Sequence, residues 1–500
     1  MPTTTYKTPG VYIQEIPAFP SSAVAVETAV PVFIGYTETA VWAGKSLVNK
    51  PTKVSSFAEY VEQFGGAFRS KFTIADPDPK TPSETFLVNG APKTVTLNKD
   101  NVAYLFNSIR LFYANGGGDC YILSVGTYSG KDTFTIQASD FIGSTDNPVS
   151  VFSILEKEFE PTMVVMPDII ALGKDAYAVY TQALMHCDTV QSRVSIFDVR
   201  AQGLTEKMDD VILEFRTDIG TNFLNYGAAY YPWLKTSIVQ PSEVDFRNLD
   251  ASVDLTKLLP ETNAQTIATN FKAANKTDDV SATNYHNSLT AASPTYVAII
   301  KEVRSKLNEL PPSGAMAGIY TLVDNSRGVW KAPANVSLSL VDAPTLNISA
   351  PEQEGLNVDV MAGKSINVIR PFPGIGTLVW GARTLEGNSQ DYRYINVRRT
   401  LIMIEQSLKL ATRTYVFEPN DANTWVTVKG MMVNFLSNLW KQGALAGAVP
   451  EQAFDVQIGL GATMTPNDIL DGIMRVTIKL AIVHPAEFIE LTFQQQQQQS

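Results

Sequence analysis

The most regular alternation of apolar and polar positions lies toward the C-terminal end of the chain. Phe454, Val456, Ile458 and Leu460 alternate with Asp455 and Gln457, while Met474, Val476, Ile478, Leu480 and Ile482 alternate with Arg475, Thr477 and Lys479. A period of two residues predicts two β-strands, each with one apolar face. Upstream the period changes. Val397, Leu401, Ile404 and Leu408 recur at spacings of four, three and four residues, which predicts a helix over 395–413 with Arg398, Arg399, Glu405, Lys409 and Arg413 on its other faces. Glu405 and Lys409 stand in the favourable order for a helical ion pair. Trp425, Val428, Met432, Phe435 and Leu439 predict a second helix, capped by Asn420, Asp421 or Asn423 and ended by Gly443 and Gly447. After Pro485 the alternation resumes in Ile489, Leu491 and Phe493, and six glutamines and a serine follow. Two strands and a tail make an incomplete sheet, because a lone hairpin is marginal in water and open edges recruit other chains.

The remainder of the chain alternates strand and helix signals. Val30–Tyr36 reads as a strand; helices are predicted around 57–64, 102–113, 176–186 and 208–218, and strands over 120–125, 162–166, 194–199 and 228–233. Such alternation predicts a doubly wound, largely parallel α/β domain over 23–369. Two stretches interrupt it: 73–99, rich in Pro, Asp, Thr and Lys, and 240–293, rich in Asn, Thr, Ala and Asp, both expected as surface insertions. Residues 1–22 carry Pro2, Pro9, Pro17 and Pro20 around Val11, Tyr12, Ile13 and Ile16, which predicts an extended arm. The expected organisation is therefore this arm, the α/β domain, an α+β domain over 370–486, and a second extended arm over 487–500 whose glutamine run is a solvated tail. No repeat of solenoid period is present.

The 500 residues are 45% hydrophobic and 18% charged, the composition of a globular protein with more than one domain. A net charge of −11 argues against nucleic acid as a partner, since phosphate binding needs clustered Lys and Arg. That charge is uneven: residues 370–500 hold eleven basic and eleven acidic side chains, so the whole excess belongs to 1–369. Within the neutral part, 383–441 has eight basic against five acidic residues, which leaves a mildly cationic helical surface. The sequence shows no signal peptide and no apolar stretch of spanning length, so folding in the cytoplasm without membrane insertion is expected.

Candidate chemistry is sparse. Gly116-Gly117-Gly118 joins a helix to a strand, the reverse of a phosphate-binding turn, and Gly374-Ile375-Gly376 has its next glycine, Gly381, too late for a dinucleotide fingerprint. His186, His286 and His484 are far apart, and no G-x-S-x-G occurs. Cys120 and Cys187 read as buried thiols in preference to a disulfide. No catalytic, cofactor or metal residue is assigned. The Asn335-Val336-Ser337 and Asn347-Ile348-Ser349 acceptor patterns carry no meaning without a secretory signal.

A series of short blocks runs in order along nearly the whole chain. They are Thr8-Pro9-Gly10-Val11-Tyr12-Ile13, Val32-Phe33-Ile34-Gly35, Gly117-Gly118-Asp119-Cys120-Tyr121-Ile122 and Pro311-Pro312-Ser313-Gly314-Ala315-Met316-Ala317-Gly318, then Asp324, Arg327 to Pro333 and Asn335, Ile366-Asn367 with Arg370, Phe372-Pro373-Gly374 and Val379 to Thr384. Tyr392 to Arg399, Tyr415 to Asn420 and Pro485 to Ile489 complete the set; the two insertions lie outside it. In these blocks the chain resembles the sheath proteins of contractile phage tails and related bacterial contractile injection systems.

The resemblance implies a structural protein, not an enzyme. It implies subunits stacked as six-fold rings around an inner tube, bounded by baseplate and terminal cap proteins and assembled in a bacterial cytoplasm before any release. It further implies that the arms add strands to neighbouring C-terminal domains. On this chain those positions are Val11, Tyr12, Ile13 and Ile16 in the N-terminal arm and Ile489, Leu491 and Phe493 in the C-terminal arm. Phe454, Val456, Ile458, Val476, Ile478 and Leu480 lie in the accepting strands. With the C-terminal domain innermost, Lys429 and Lys441 on the second helix are expected to face an acidic tube. The rival readings are a baseplate or surface-layer subunit, and a doubly wound enzyme.

Overall fold

The computed structural model describes residues 23–78, 84–98, 102–145, 148–203, 206–274 and 278–492. The chain divides into two compact units, one of Glu27–Ile402 with His484–Ser500, the other of Met1–Val26 with Met403–Val483.

The larger unit is built on a mixed sheet of nine strands. Their order is Val336–Ser337, Gly376–Val379, Asn367–Phe372, Gly227–Tyr231, Val194–Asp198, Met163–Val165, Pro31–Thr37, Cys120–Thr127 and Thr52–Val54. The six central strands pair parallel, and the outer ones pair antiparallel. Parallel strands covered on both faces need continuous apolar runs, and all seven residues of Pro31–Thr37 are buried. The unit runs on past Arg370 because Asn367–Phe372 is itself a sheet strand, joined to Gly376–Val379 by a tight turn in which Gly374 and Gly376 have φ of 76° and 112°. That turn explains the Gly374-Ile375-Gly376 spacing without a ligand.

Two buried carboxylates at the C-terminal ends of parallel strands cap helices. Asp168 accepts from the backbone N–H groups of Tyr36, Tyr104 and Leu105 at 2.9, 2.6 and 2.9 Å, at the start of the helix Leu105–Ala114. Asp198 accepts from Ser313 N–H at 2.7 Å and Ser313 Oγ at 2.6 Å, at the start of the helix Ser313–Arg327. Burial pushes the Asp168 carboxyl up to about 6 and Asp198 up to about 7, against the pull of these donors. An unfolded chain releases these protons near 3.8, before the folded chain does, so their contribution to stability is full below that pH and falls as pH rises through 7. Asp198→Asn is therefore expected to shrink the fall in melting temperature between pH 4.5 and pH 7.5.

The two capped helices lie against one another. A Cβ on Gly314 would meet the Ser108 carbonyl oxygen at 2.4 Å, and one on Gly318 the Phe112 carbonyl oxygen at 2.6 Å. Small residues four apart thus let two backbones touch, which gives the Pro311–Gly318 block a packing cause. Gly318→Ala is expected to cost about 1–3 kcal/mol by overpacking, read as a lowered urea midpoint at unchanged slope.

The stretches expected as surface insertions have structure of their own. Phe72–Ala75, Phe86–Val88 and Ala91–Leu97 form an antiparallel sheet that sends Val88 and Val95 into the core. Thr262–Ala274 and Asp279–Ala292 are helices, and Phe271 stacks on Tyr285 at 3.9 Å with Phe246 edge-on to both. Cys120 and Cys187 are free and buried.

Candidate assembly site

The helix Ile395–Thr412 starts in the larger unit and ends in the smaller. Val397, Ile404 and Leu408 are buried as the apolar stripe required, and Leu401 is half-buried. The expectation that Arg398 and Arg399 face outward is overturned: each is 4% exposed. The first turns are enclosed on all sides, and each guanidinium finds a partner in the larger unit. Arg399 bonds Asp324 at 2.9 and 2.6 Å and the Thr28 carbonyl at 2.9 Å, while Asp324 also accepts from Thr28 Oγ1 at 2.6 Å. Arg398 lies over the Tyr226 ring, 4.2 Å from its centre, with Tyr392 at 5.4 Å. A cationic helical face on 383–441 is reduced by both residues.

In the smaller unit, Asp421 caps the helix Ala422–Lys441 by accepting from Asn423 and Thr424 N–H at 3.0 Å each. Val428, Met431, Met432, Phe435, Leu436 and Leu439 form its buried side, and Trp425 is half-buried with its indole N–H on Asn420 at 2.7 Å. Lys429 and Lys441 are exposed on this helix.

Phe454–Ile458 and Val476–Leu480 pair antiparallel in the register Phe454 to Leu480, Val456 to Ile478 and Ile458 to Val476. The six residues expected in the accepting strands are thus three directly opposed pairs, close enough to pack on one face. Phe454 and Val456 are buried, Ile458, Val476, Ile478 and Leu480 are half-buried, and Thr477 and Lys479 are exposed. The strand Phe454–Ile458 packs on the helix Ala422–Lys441. Beyond the hairpin, Ala446 N–H donates to the Ala481 carbonyl at 2.7 Å, which fixes the exit of the chain. Among the described residues this sheet has two strands and no third.

The arms divide differently. Val11, Tyr12, Ile13, Ile16 and Phe493 lie outside the described residues. Ile489 and Leu491 are 78% and 72% exposed, and no strand is assigned over 484–492. Glu487, which sequence reasoning placed in the arm without a role, is held by Arg383, Tyr394 and Asn357 of the larger unit. No local pattern signals those partners.

No chemical centre gathers around the histidines. His186 is buried, which together with Arg193 pushes its pKa down to about 3, His286 bonds the Tyr296 hydroxyl at 2.8 Å, and His484 lies by Tyr394. Among the described residues no cluster of three His, Cys, Asp or Glu could hold a metal, and no helix is long and apolar enough to cross a membrane.

Residues 388–496, which take in the buried arginines, both helices, the hairpin and the tail, match the phage tail sheath C-terminal domain. The tail sheath protein of Vibrio phage KVP40 is 23% identical over 162 residues, a stretch covering 32% of this chain and 23% of that protein. Among solved structures, the PVC sheath complex of an extracellular contractile injection system in its contracted state is 28% identical, with a TM-score of 0.60 and 99% of each chain covered. The contracted helical sheath of the anti-feeding prophage is 26% identical at a TM-score of 0.60, with 98% of this chain and 100% of that one covered.

Proposed function

Because the chain belongs to the contractile tail sheath proteins, we propose that it is the repeating subunit of a sheath that encloses an inner tube and shortens to drive that tube through a target envelope. The observation that carries this reading is the sheet of the smaller unit, apolar on one face and joined, among the described residues, by no third strand. Open edges are a liability unless another chain covers them. The arms of neighbouring copies supply strands of the right composition: Val11, Tyr12, Ile13 and Ile16 from one end, Ile489, Leu491 and Phe493 from the other. An added strand gains affinity from backbone hydrogen bonds and register from alternate side chains.

In this reading the subunits stack as six-fold rings between a baseplate and a terminal cap. The extended lattice is metastable, and its release lets subunits rotate as rigid bodies while the exchanged strands keep the rings joined. Energy stored at assembly drives the stroke without a nucleotide. Exposed apolar residues of the smaller unit, Phe417 at 103% and Leu470 at 84%, are further candidates for burial between copies. Electron microscopy of the purified full-length chain tests the proposal. Tubes built of six-subunit rings are expected; a dispersed monomer at all concentrations would contradict it.

Lys429 and Lys441 are proposed to meet an acidic tube. Exposed charge pairs are weak and screened by salt, which suits a grip that must release. Lys429→Glu with Lys441→Glu is expected to leave the subunit's melting temperature unchanged and to impair extended assembly on the tube, most at low salt. Equal assembly of variant and parent at low and high salt would remove both residues from the tube surface.

A further inference from the structure

The C-terminal tail carries a carboxylate, Glu487, that is tied into the larger unit. Glu487 accepts from Arg383 Nε at 3.0 and 3.2 Å and from Arg383 Nη2 at 2.7 Å, from the Tyr394 hydroxyl at 2.7 Å and from Asn357 Nδ2 at 2.7 Å. The Arg383 side chain is 4% exposed and that of Glu487 19%. Arg383 is itself held by the Asn357 carbonyl at 3.1 Å and lies 6.0 Å from the centre of the Tyr394 ring. Burial raises the Glu487 carboxyl, but Arg383, Asn357 and Tyr394 outweigh it and keep the group below its ordinary range. A surface ion pair would need none of this. A charge withdrawn from water needs several donors in fixed directions, and three separate segments supply them here.

One residue later the chain changes character. Phe488, Ile489 and Leu491 are 74%, 78% and 72% exposed. A buried anchor therefore stands directly before an exposed apolar segment.

We infer that Asn357, Arg383 and Tyr394 are positioning residues for the C-terminal arm, holding Glu487 so that the segment after it is offered to a neighbouring copy from a fixed point. The inference rests on the proposed strand exchange and adds its geometry. A fixed root confines the volume the arm searches and raises its effective concentration at the acceptor. It also limits reach. The six residues Phe488–Phe493 span at most about 22 Å, so the edge that accepts them must lie within that distance of the anchor.

The full-length chain carrying Glu487→Ala tests this, with spin labels on cysteines introduced at Glu490 and Lys301. Both native cysteines are buried, which keeps labelling selective. The parent is expected to give one narrow label distance. Glu487→Ala should broaden it, leave the circular dichroism spectrum unchanged, and raise the concentration needed for polymerisation about tenfold through lost effective concentration. Tyr394→Phe, which removes one hydroxyl donor, should shift both readouts the same way by less, and serves alone if the first variant does not fold. A distance in Glu487→Ala as narrow as the parent's, or polymerisation at the parent's concentration, would overturn the anchor. A chain truncated after Glu487 separates the two ideas. If it polymerises normally, strand exchange itself fails; if it does not while Glu487→Ala does, only the anchor fails.

Discussion

Removal of residues 488–500 is expected to yield a folded subunit that no longer elongates into sheaths. Stopping after Glu487 keeps its bonds to Arg383, Tyr394 and Asn357 and so avoids stranding a buried guanidinium. The subunit itself loses little, because Phe488, Ile489 and Leu491 cover almost nothing in their own chain. The melting temperature should stay within about 2 °C of the parent's, as surface changes are usually within ±0.5 kcal/mol. The assembly loses far more. About four to six backbone hydrogen bonds at roughly 0.5–1.5 kcal/mol each disappear at every junction, together with the burial of three apolar side chains. Repeated along a tube, that loss moves the equilibrium to free subunits, visible by sedimentation and electron microscopy. Long sheaths from the truncated chain would show that the C-terminal arm does not join the copies.

Asp324→Ala is expected to destabilise the subunit by about 3–5 kcal/mol, because it strands a buried charge. Arg399 and Asp324 have side chains 4% and 2% exposed, and Thr28 depends on both through its hydroxyl and its carbonyl. A domain holds only about 5–15 kcal/mol in total, so urea unfolding should show the loss clearly. Replacing the pair by apolar residues of similar volume, Asp324→Leu with Arg399→Met, should recover most of it, since the stranded guanidinium is what costs. A loss below about 1 kcal/mol for Asp324→Ala would mean that water reaches the pair.

The contrast between Arg399 and the hairpin shows what a sequence of this kind reveals. Val476, Ile478 and Leu480 are half-buried on one face of a short strand while Thr477 and Lys479 are exposed on the other, so the pattern is written locally. The helix Ile395–Thr412 was legible for the same reason, but the burial of Arg398 and Arg399 was not. Periodicity places them off the stripe, and only contacts with Asp324 and Tyr226, far away in the chain, bring them inside. At 73–99 composition indicated a surface insertion and gave no sign of the strands within it. Its prolines and charges hid the alternation in Thr94, Val95, Thr96 and Leu97 that carries a strand. Gly314 and Gly318 were visible as part of a family-like block, while the reason for them, contact with the Ser108 and Phe112 carbonyls, belongs to a second helix. Glu487 was the least legible, since a single carboxylate in a tail has no pattern and its partners lie about a hundred residues upstream.

Joining of subunits by strand exchange requires that other copies cover the outer edges of the Phe454–Ile458 and Val476–Leu480 hairpin. Cryo-electron microscopy of sheaths assembled from the full-length chain, at a resolution that traces backbone, addresses this directly. It should show a sheet of at least four strands there, with residues 488–493 of one neighbour and 11–16 of another hydrogen-bonded beside the hairpin. A hairpin still two-stranded in the assembled tube, with both chain ends packed on their own subunit, would contradict the account.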